Sequence, residues 1–435
     1  MSRRLLLLAC LALAACAAAP PVRHDDIASA LHAIGTDAAL PAGEAGEPPP
    51  PGALSDARDA VAFALRHHPR VHAVLAELDG AAAMRWQAGL APDPMASAMA
   101  LRREGGGWML EYGLMQSLFA LLDRPQRIAE AEAALRRAEA ETVAALLALA
   151  REAEDAWVAS VAQGERAALL AEDLALAEQL HALSEAQAGA GAVGLEARLR
   201  VAMERAEAED RLAAARAALV RERSRLAEAL GLAGAGGLQL PARLPEPPLQ
   251  AIDAEALHAL ARSRRPELRA AEAERERTGV ALRRSDRSGG IDAIDLGLRR
   301  QQDAFGPELR IALPLFDRGQ ARRASAAARA RAAQAERALA ERGVAREVER
   351  ALARLALDEQ RLRATRERAR HAELRAALAA RLHAQGSAPY DERLRSEREA
   401  RMAGMALVDA REAVWQSLLA VAAATASALP TARED

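Results

Sequence analysis

The 435-residue sequence contains no lysine and no asparagine, so all 59 basic residues are arginine, and only 2% of its residues are aromatic. Alanine supplies much of the 51% apolar content, so a large core of bulky side chains is not expected. Ala-rich sequence with interspersed Glu, Arg and Leu favours long, closely packed helices. A net charge of −2 and few aromatic residues are not typical of nucleic-acid-binding proteins, so no nucleic-acid partner is expected.

Cysteine is also scarce, since Cys10 and Cys16 are the only two. Both lie in the stretch MSRRLLLLACLALAAC, whose apolar run is too short to span a membrane and is typical of a secretory signal. The end of this run resembles the lipobox of bacterial lipoproteins. That resemblance implies a signal peptide over 1–15, with Cys16 as the first mature residue and lipid attachment site, and Ala17 favours sorting to the outer membrane. Cys10 would leave with the signal, so no disulfide or thiol chemistry is expected.

The rest of the sequence consists of two similar halves. Pro69 and Pro266 stand in similar contexts, as do Phe119 and Phe316, and each pair is 197 residues apart. Two matches at one separation favour an internal duplication. The predicted organisation is an extended lipidated tail (16–55), a first repeat (56–231), a linker (232–252), a second repeat (253–426) and a C-terminal tail (427–435).

Each repeat is predicted to contain helices and two short strands. Period-two alternation predicts strands with one apolar face, for example where Leu309, Ile311 and Leu313 alternate with Arg310 and Ala312. The corresponding apolar face in the first repeat consists of Trp108, Leu110, Tyr112 and Leu114. The predicted helices cover 56–90, 124–188 and 195–231 in the first repeat, and 253–287, 320–385 and 390–426 in the second.

The longest helix of each repeat sets the scale of the fold. The segments 124–188 and 320–385 are each about 98 Å long at a rise of 1.5 Å per residue. A compact globule does not accommodate such helices easily, whereas a coiled-coil assembly does. Each ends at a glycine-containing turn, in which Gly189 and Gly386 are again 197 residues apart, although Gly191 with a small indel also fits.

The predicted strands are near the 9–11 residues that a tilted strand needs to cross a bilayer. Four strands cannot close a barrel, and open sheet edges are not tolerated in lipid. Three copies of the chain would supply twelve strands, and cyclic homo-oligomers are common. The pattern therefore predicts a barrel shared between subunits and carried on long helices.

In the region of about 56–426 the sequence resembles the TolC-like outer-membrane efflux proteins, particularly their lipidated members. The resemblance rests on the X-Pro start of each repeat at Pro69 and Pro266, on the segment LPLFDRG, and on the glycine turns after the long helices. It implies a mainly α fold with a small β part: a homotrimer whose twelve-stranded β-barrel, four strands per protomer, continues into a long α-helical coiled-coil tunnel in the periplasm.

The same resemblance implies a function without catalysis. The protein would be the outer-membrane exit duct of a tripartite efflux system and would conduct substrates passively. It would be no enzyme and would need no cofactor. Its partners would be outer-membrane lipid, a periplasmic adaptor protein and an inner-membrane pump, expected to be of the RND type.

The resemblance also implies two functional regions. The barrel-to-tunnel junction would comprise Phe119, Pro314, Phe316, Asp317 and Gly319, although the first-half segment SLFALLDRP is longer and lacks the glycine. The periplasmic tip, where gate and adaptor contacts are expected, would comprise Gly189, Gly194, Glu196, Gly386, Asp391, Glu392 and Arg393. The alternative for the charged residues is that they cap and solvate helix starts.

Two other functions remain open from the sequence. A periplasmic helical structural lipoprotein would keep the coiled coil and form no barrel, and a duct for type I polypeptide secretion would share the architecture. His67, His68 and His72 are not expected to bind metal, because no carboxylate or cysteine completes a plausible ligand set. The cargo is not predicted.

Overall fold

The computed structural model describes residues 24–33, 40–41, 46, 48–102, 104–249, 253–291, 293–302 and 304–427. The predicted signal peptide at 1–15 and Cys16 lie outside these residues. The same order of elements occurs twice. After a short helix α1 (Asp25–Ala33), the first set is α2 (Ala57–His67), α3 (Pro69–Gly89), β1 (Met95–Arg102), β2 (Trp108–Ser117), α4 (Leu118–Gly189) and α5 (Leu195–Ala229). The second set is α6 (Ala254–Arg264), α7 (Pro266–Ser288), β3 (Ile294–Gln301), β4 (Ala304–Ile311), α8 (Gln320–Ala384) and α9 (Tyr390–Thr425).

Proline divides the first predicted helix of each repeat, so the single helices predicted over 56–90 and 253–287 are wrong. α2 stops before Pro69 and α6 stops before Pro266. The residue before a proline is pushed out of the helical region, and His68 and Arg265 have ψ values of 128° and 118°. Proline is well suited to begin the next helix, because the first helical N–H has no intrahelical partner.

The four strands form one antiparallel sheet in the order β1-β2-β3-β4, and the predicted strands are confirmed. Gly106 and Gly107, with φ of 89° and 92°, make the turn between β1 and β2. The register places large apolar side chains on one face of the sheet, where they are exposed. They include Trp108, Leu110, Tyr112, Leu114, Leu296, Leu298, Phe305, Leu309 and Ile311.

The opposite face of the sheet carries charge. Arg299 in β3 pairs with Glu111 in β2 at 3.1 Å and with Glu308 in β4 at 2.8 Å, and Arg310 lies 3.3 Å from Glu308. The two pairs of Arg299 therefore join neighbouring strands, whereas the Arg310–Glu308 pair lies within β4. One face of the sheet is therefore mainly apolar, with Arg102 and Arg300 among its residues, and the other carries these ion pairs together with Met95, Met99 and Leu101.

The limits of β4 differ from the prediction. The strand ends at Ile311, so Leu313 lies beyond it, and it begins at Ala304, before the alternating residues from which it was predicted. Pro307 lies within β4 opposite Leu298. Proline is tolerated there because β4 is an edge strand of this sheet and proline donates no ladder hydrogen bond.

The two longest helices also differ in length. α4 has 72 residues and begins at Leu118, six residues before the predicted start, with Pro125 inside it. α8 has 65 residues and begins at Gln320, as predicted. The turns after them are equivalent: Gly191 and Gly386 have φ of 71° and 73°, and each is followed by an N–H that bonds back five residues. Gly191, not Gly189, is therefore the counterpart of Gly386, and the offset here is 195 residues.

Two compact units divide the chain. One contains the sheet with the helical segments of 74–142 and 266–341. The other contains 143–265 and 342–427, and its core is built largely from alanine, leucine and valine with one fully buried large aromatic, Trp157. In the described part of the chain, no helix is both long and apolar enough to cross a membrane.

Parts of the predicted tail and of the linker belong to the second unit and are ordered within it. Trp157 Nε1 donates to the carbonyl of Leu54 at 3.0 Å, and the N–H of Leu54 donates to the carbonyl of Gln239 at 3.0 Å. The tail also contains the nine-residue helix α1, which differs from the extended chain expected there. The end of the tail is thus fixed by hydrogen bonds to the linker and to α4.

Gly297 is required for the packing of β3 on β2, and this generates a first prediction. A Cβ at Gly297 would collide with Met115 Sδ and the carbonyl oxygen of Leu114. We expect Gly297→Ala to lower the free energy of unfolding by about 1–3 kcal/mol, the usual cost of overpacking. Gly306→Ala is the matched control, because it lies in β4 on the same face with open space around its Cβ. Equal urea denaturation curves for the two variants would contradict the assignment.

His68 generates a prediction for pH. Burial lowers the pKa of His68, and its Nδ1 accepts a hydrogen bond from the N–H of Arg70 at 3.0 Å. Because the pKa is lower in the folded state, protonating this histidine destabilises the fold. Its contribution to stability is therefore present above the ordinary histidine pKa and is lost as the pH falls. Between about pH 7 and pH 5 we expect the wild-type protein to lose more stability than His68→Asn. Thermal midpoints measure this, with His371→Asn, at an exposed position of α8, as control; equal slopes for wild type and His68→Asn would rule it out.

Candidate functional site: the strand-to-helix junctions and the helical tips

In the second repeat, β4 and α8 are joined by an irregular turn. The N–H of Gly319 donates to Asp317 Oδ1 at 2.8 Å, and the N–H of Arg318 donates to Gln320 Oε1 at 2.8 Å. Gly319 has φ of 76°, a left-handed conformation that favours glycine. Asp317 and Gly319, named from the sequence, therefore build this turn. Pro314 and Phe316 lie in the same segment, and the Phe316 side chain is 94% exposed.

Gly290 belongs to this junction and was not found by sequence reasoning. Its φ is 87°, and a Cβ there would run into the backbone of Arg318. The end of α7 thus lies directly against the turn before α8. The adjacent pair Gly289-Gly290 after a long helix was the available signal.

The first-repeat junction is built differently. β2 passes directly into α4 at Leu118, so Phe119 lies in the first turn of a helix and not in a loop. Ser117 Oγ accepts the N–H of Ala120 at 3.4 Å and supports the helix start. Arg124 Nε donates to the carbonyl of Gly89 at 2.7 Å, which ties α4 to the end of α3. The segment SLFALLDRP needs no glycine, because β2 enters α4 without an intervening turn.

Five of the predicted tip residues lie at the starts of α5 and α9, whereas Gly189 is the last residue of α4 and Gly386 lies in the turn after α8. Gly194 and Pro389 are the N-cap residues, and neither cap has a side-chain hydrogen bond. The charged residues that follow pair with arginine or glutamate one turn later in their own helix: Glu196 with Arg200 at 2.8 Å, Arg393 with Glu397 at 2.8 Å, and Asp391 with Arg395 at 3.9 Å. This arrangement favours helix capping and solvation for the individual charges.

Tyr390 connects the two repeats at the tips and was missed from the sequence. Its hydroxyl donates to Gln179 Oε1 of α4 at 3.0 Å, and the guanidinium of Arg393 lies 5.6 Å from its ring centre. Leu180 and Leu394, both buried, pack beside it. α9 is therefore held against α4 near the turns.

Further from the tips, ion pairs continue along the contact between α4 and α9. Asp173 has no solvent exposure, and Arg398 and Arg211 lie 2.8 Å and 3.3 Å from its oxygens. Arg166 pairs with Asp409 at 2.5 Å and also with Glu412. Burial raises the pKa of the Glu412 carboxyl, while the Arg166 guanidinium opposes that rise. We call the α4–α9 contact, from Tyr390–Gln179 to Arg411–Glu165, the repeat seam.

The far end of the repeat seam also holds the linker. Arg411 lies 2.6 Å from Glu165 and donates to the carbonyl of Leu244 at 2.8 Å, and Glu165 accepts the N–H of Leu244 at 2.9 Å. Trp415 Nε1 donates to the carbonyl of Pro245 at 2.9 Å. The buried polar groups of this linker segment are thus satisfied by side chains of both repeats.

The chain contains a duplicated set of long helices, one short antiparallel sheet and a strand-to-helix junction in each repeat. This combination is the fold of the TolC-like outer-membrane channel proteins. The structural comparisons agree. A membrane protein from Pseudomonas aeruginosa is 20% identical, with a TM-score of 0.70 over 88% of this chain and 99% of its own. The outer-membrane protein VceC of Vibrio cholerae is 19% identical, with a TM-score of 0.70 over 86% of this chain and 97% of its own.

The open state of the Neisseria gonorrhoeae MtrE outer-membrane channel is 19% identical, with a TM-score of 0.62 over 86% of this chain and 89% of its own. No family model matches the sequence, and no curated protein is significantly similar to it. The predicted resemblance to TolC-like channels is therefore confirmed at the level of the fold.

Arg411 generates a prediction for the repeat seam. Removing one partner of a buried ion pair leaves the other charge buried and unpaired, which costs about 3–5 kcal/mol. We expect Arg411→Met to cause a loss of that size in urea denaturation, because Glu165 would lose its cationic partner and keep only the N–H of Leu244, and the carbonyl of Leu244 would lose its donor. Arg200→Met is the matched control: its pair with Glu196 is exposed, and we expect a loss of about 0.5 kcal/mol or less. Similar losses for both variants would show that the Arg411 pair contributes no more than a surface pair.

Proposed function

We propose that three copies of this chain form an outer-membrane exit duct that conducts substrates passively. The observation that carries the proposal is the sheet. Among the described residues, no element covers its exposed apolar face or pairs with the outer edges of β1 and β4. Lipid would cover the apolar face, and Trp108 and Tyr112 are suited to the aromatic belt near the membrane surface. The ionic face with Arg299 and Glu308 would line the lumen.

Closure of the barrel follows from the edges. Unpaired backbone groups are very costly in hydrocarbon, so β1 of one copy would pair with β4 of the next. Three copies with four strands each give a twelve-stranded barrel. The long helices α4, α5, α8 and α9 would continue from it as the periplasmic tunnel, as the TolC-like fold supports.

The duct would act with partners that provide the energy. In this proposal a periplasmic adaptor joins the tips of α4, α5, α8 and α9 to an inner-membrane pump, expected to be of the RND type. The tip residues would include Gly194, Glu196, Asp391 and Glu392. Cys16 would carry the lipid that anchors each chain to the outer membrane.

A periplasmic structural lipoprotein without a barrel is the second candidate. It is favoured by β1, whose face toward the lipid would present only Ala96, Ala98 and Ala100 before ending at Arg102. Small side chains give little apolar area for a lipid contact. The duct requires one face of β1 to contact lipid, whereas the structural lipoprotein does not. The two functions therefore predict different effects on assembly for substitutions on the two faces of this strand.

Ala98 and Met99 provide the test, because they are neighbours in the middle of β1 and lie on opposite faces of the sheet. An arginine facing lipid at the bilayer midplane costs about 2–4 kcal/mol, whereas lumen positions tolerate it. We expect Ala98→Arg to reduce heat-resistant trimers in outer-membrane fractions and conductance in planar bilayers, and Met99→Arg to retain the trimers.

The outcomes separate the two functions. Equal assembly of both variants, with no conductance from the wild-type protein, would overturn the duct and favour the structural lipoprotein. So would a Cys16→Ser chain that is a monomer extractable without detergent.

A further inference from the structure

A cavity of about 460 Å³ lies in the second unit and is lined by residues of α4, α5, α8 and α9. Four arginines contribute to its lining, and we call it the arginine cavity. They are Arg211 of α5, Arg368 of α8, and Arg395 and Arg398 of α9. Its volume is in the range of small-molecule sites in proteins. Several charges of one sign around a single concave site attract ligands of the opposite sign.

Asp173 and Glu204 neutralise part of this positive charge. Asp173, without solvent exposure, lies 2.8 Å from Arg398 and 3.3 Å from Arg211. Glu204 lies 3.1 Å from Arg398. These ion pairs therefore fix two of the four guanidinium groups at the wall of the arginine cavity.

The other two arginines keep most of their charge. Arg395 lies 3.9 Å from Glu204 and 3.9 Å from Asp391, at the outer limit of an ion pair. Arg368 is exposed and makes no ion pair or hydrogen bond within the described residues. The remaining carboxylate of the lining, Glu399, pairs with an arginine outside the cavity. The arginine cavity therefore has a surplus of positive charge.

Two polar groups of the same lining make no hydrogen bond in the described part of the chain. The Nε of Arg211 is buried without a partner, although another nitrogen of this guanidinium reaches Asp173. Thr365 is 7% exposed, and its hydroxyl has no partner either. Buried donors are nearly always paired in proteins. An oxyanion in the arginine cavity would supply the acceptor that these donors lack.

The two repeats contribute opposite charges at equivalent positions of the lining. Counted from the turns at Gly191 and Gly386, Arg368 of α8 is the counterpart of Asp173 of α4. The whole helices differ in the same direction: α8 contains 16 arginines and 8 acidic residues, whereas α4 contains 6 arginines and 13 acidic residues. The second repeat therefore supplies a cation where the first supplies the acid that holds the repeat seam.

We propose that the arginine cavity binds a small oxyanion of the phosphate type. Guanidinium groups suit this ligand, because their N–H donors match the geometry of phosphate oxygens. Arg368 and Arg395 would supply uncompensated charge, and Arg211 and Thr365 would supply free donors. Met402 adds an apolar wall, so the phosphate group of an organic molecule fits as well as the free ion. All of these residues belong to one chain, so the site goes beyond the proposed duct and does not depend on its assembly.

Calorimetric titration of the full chain in detergent tests the site, with phenyl phosphate as the probe and chloride to hold the ionic strength constant. We expect saturable binding at one site per wild-type chain. Arg368→Gln is expected to bind at least about tenfold more weakly, because hydrogen bonds between charged groups are among the strongest. Its thermal midpoint is expected to equal that of the wild type, since Arg368 has no ion pair to lose within the described residues.

Arg370→Gln is the matched control. Arg370 is another exposed arginine of α8 without an ion pair in the described part of the chain, but it lies outside the lining. We expect this variant to bind phenyl phosphate like the wild type. Thr365→Val removes the free hydroxyl while keeping the shape of the side chain, and we expect it to weaken binding about threefold.

Two further probes identify the ligand. Tighter binding of phenyl phosphate than of inorganic phosphate would identify an organic phosphate, and equal binding would identify the free ion; either result supports the site. Absence of saturable binding, equal weakening in Arg368→Gln and Arg370→Gln, or competition by uncharged benzyl alcohol would overturn it. If the protein forms a conducting trimer but gives any of these three results, the oxyanion site is wrong and the duct stands.

Discussion

The row of arginine–carboxylate pairs between α4 and α9 is the interaction on which the second unit depends. Alanine forms a large part of the core there, and small side chains provide little apolar area for holding helices in one register. Arg166, Arg398 and Arg411 supply that register, because each pairs with a carboxylate of the other repeat. Asp173, without any solvent exposure, is neutralised from two helices at once. The linker is held by the same arginine that closes the row.

The two repeats have the same order of elements but differ in some of the residues that join those elements. The glycine turns at Gly191 and Gly386 are alike, and proline starts α3 and α7 in the same way. The junctions are not alike, since β2 enters α4 directly whereas β4 reaches α8 through a glycine turn. Within the chain the repeat seam combines buried leucines near the turns with ion pairs further along. The two halves therefore share an order of elements but differ in their junctions.

Much of the architecture could be predicted from the sequence, because its signals are periodic. Alternation predicted two strands in each repeat, and long segments whose only proline is Pro125 predicted α4, α5, α8 and α9. The errors came from backbone restrictions that periodicity does not contain. Proline at 69 and 266 broke helices that were predicted as continuous, and α4 began six residues early, since Pro125 is accepted within its first turns.

The site was less predictable because its key residues act across the fold. Glu196, Asp391 and Arg393 stand out next to glycine turns, yet each is paired within its own helix. Tyr390, Gln179 and Asp173 connect the repeats, but no local pattern singles out one glutamine or aspartate among many in an Arg/Glu-rich helix. Only the three-dimensional pairing distinguishes them.

The use of arginine alone as the cation has a chemical consequence for the repeat seam. A guanidinium stays protonated at any pH that proteins encounter, so the positive half of every pair is permanent and only the carboxylates titrate. The sequence also contains no side-chain amine. Reagents that acylate or label side-chain amines therefore have no target side chain in this protein, and treatment that removes lysine-based contacts in a neighbouring protein would leave the arginines of this seam unmodified.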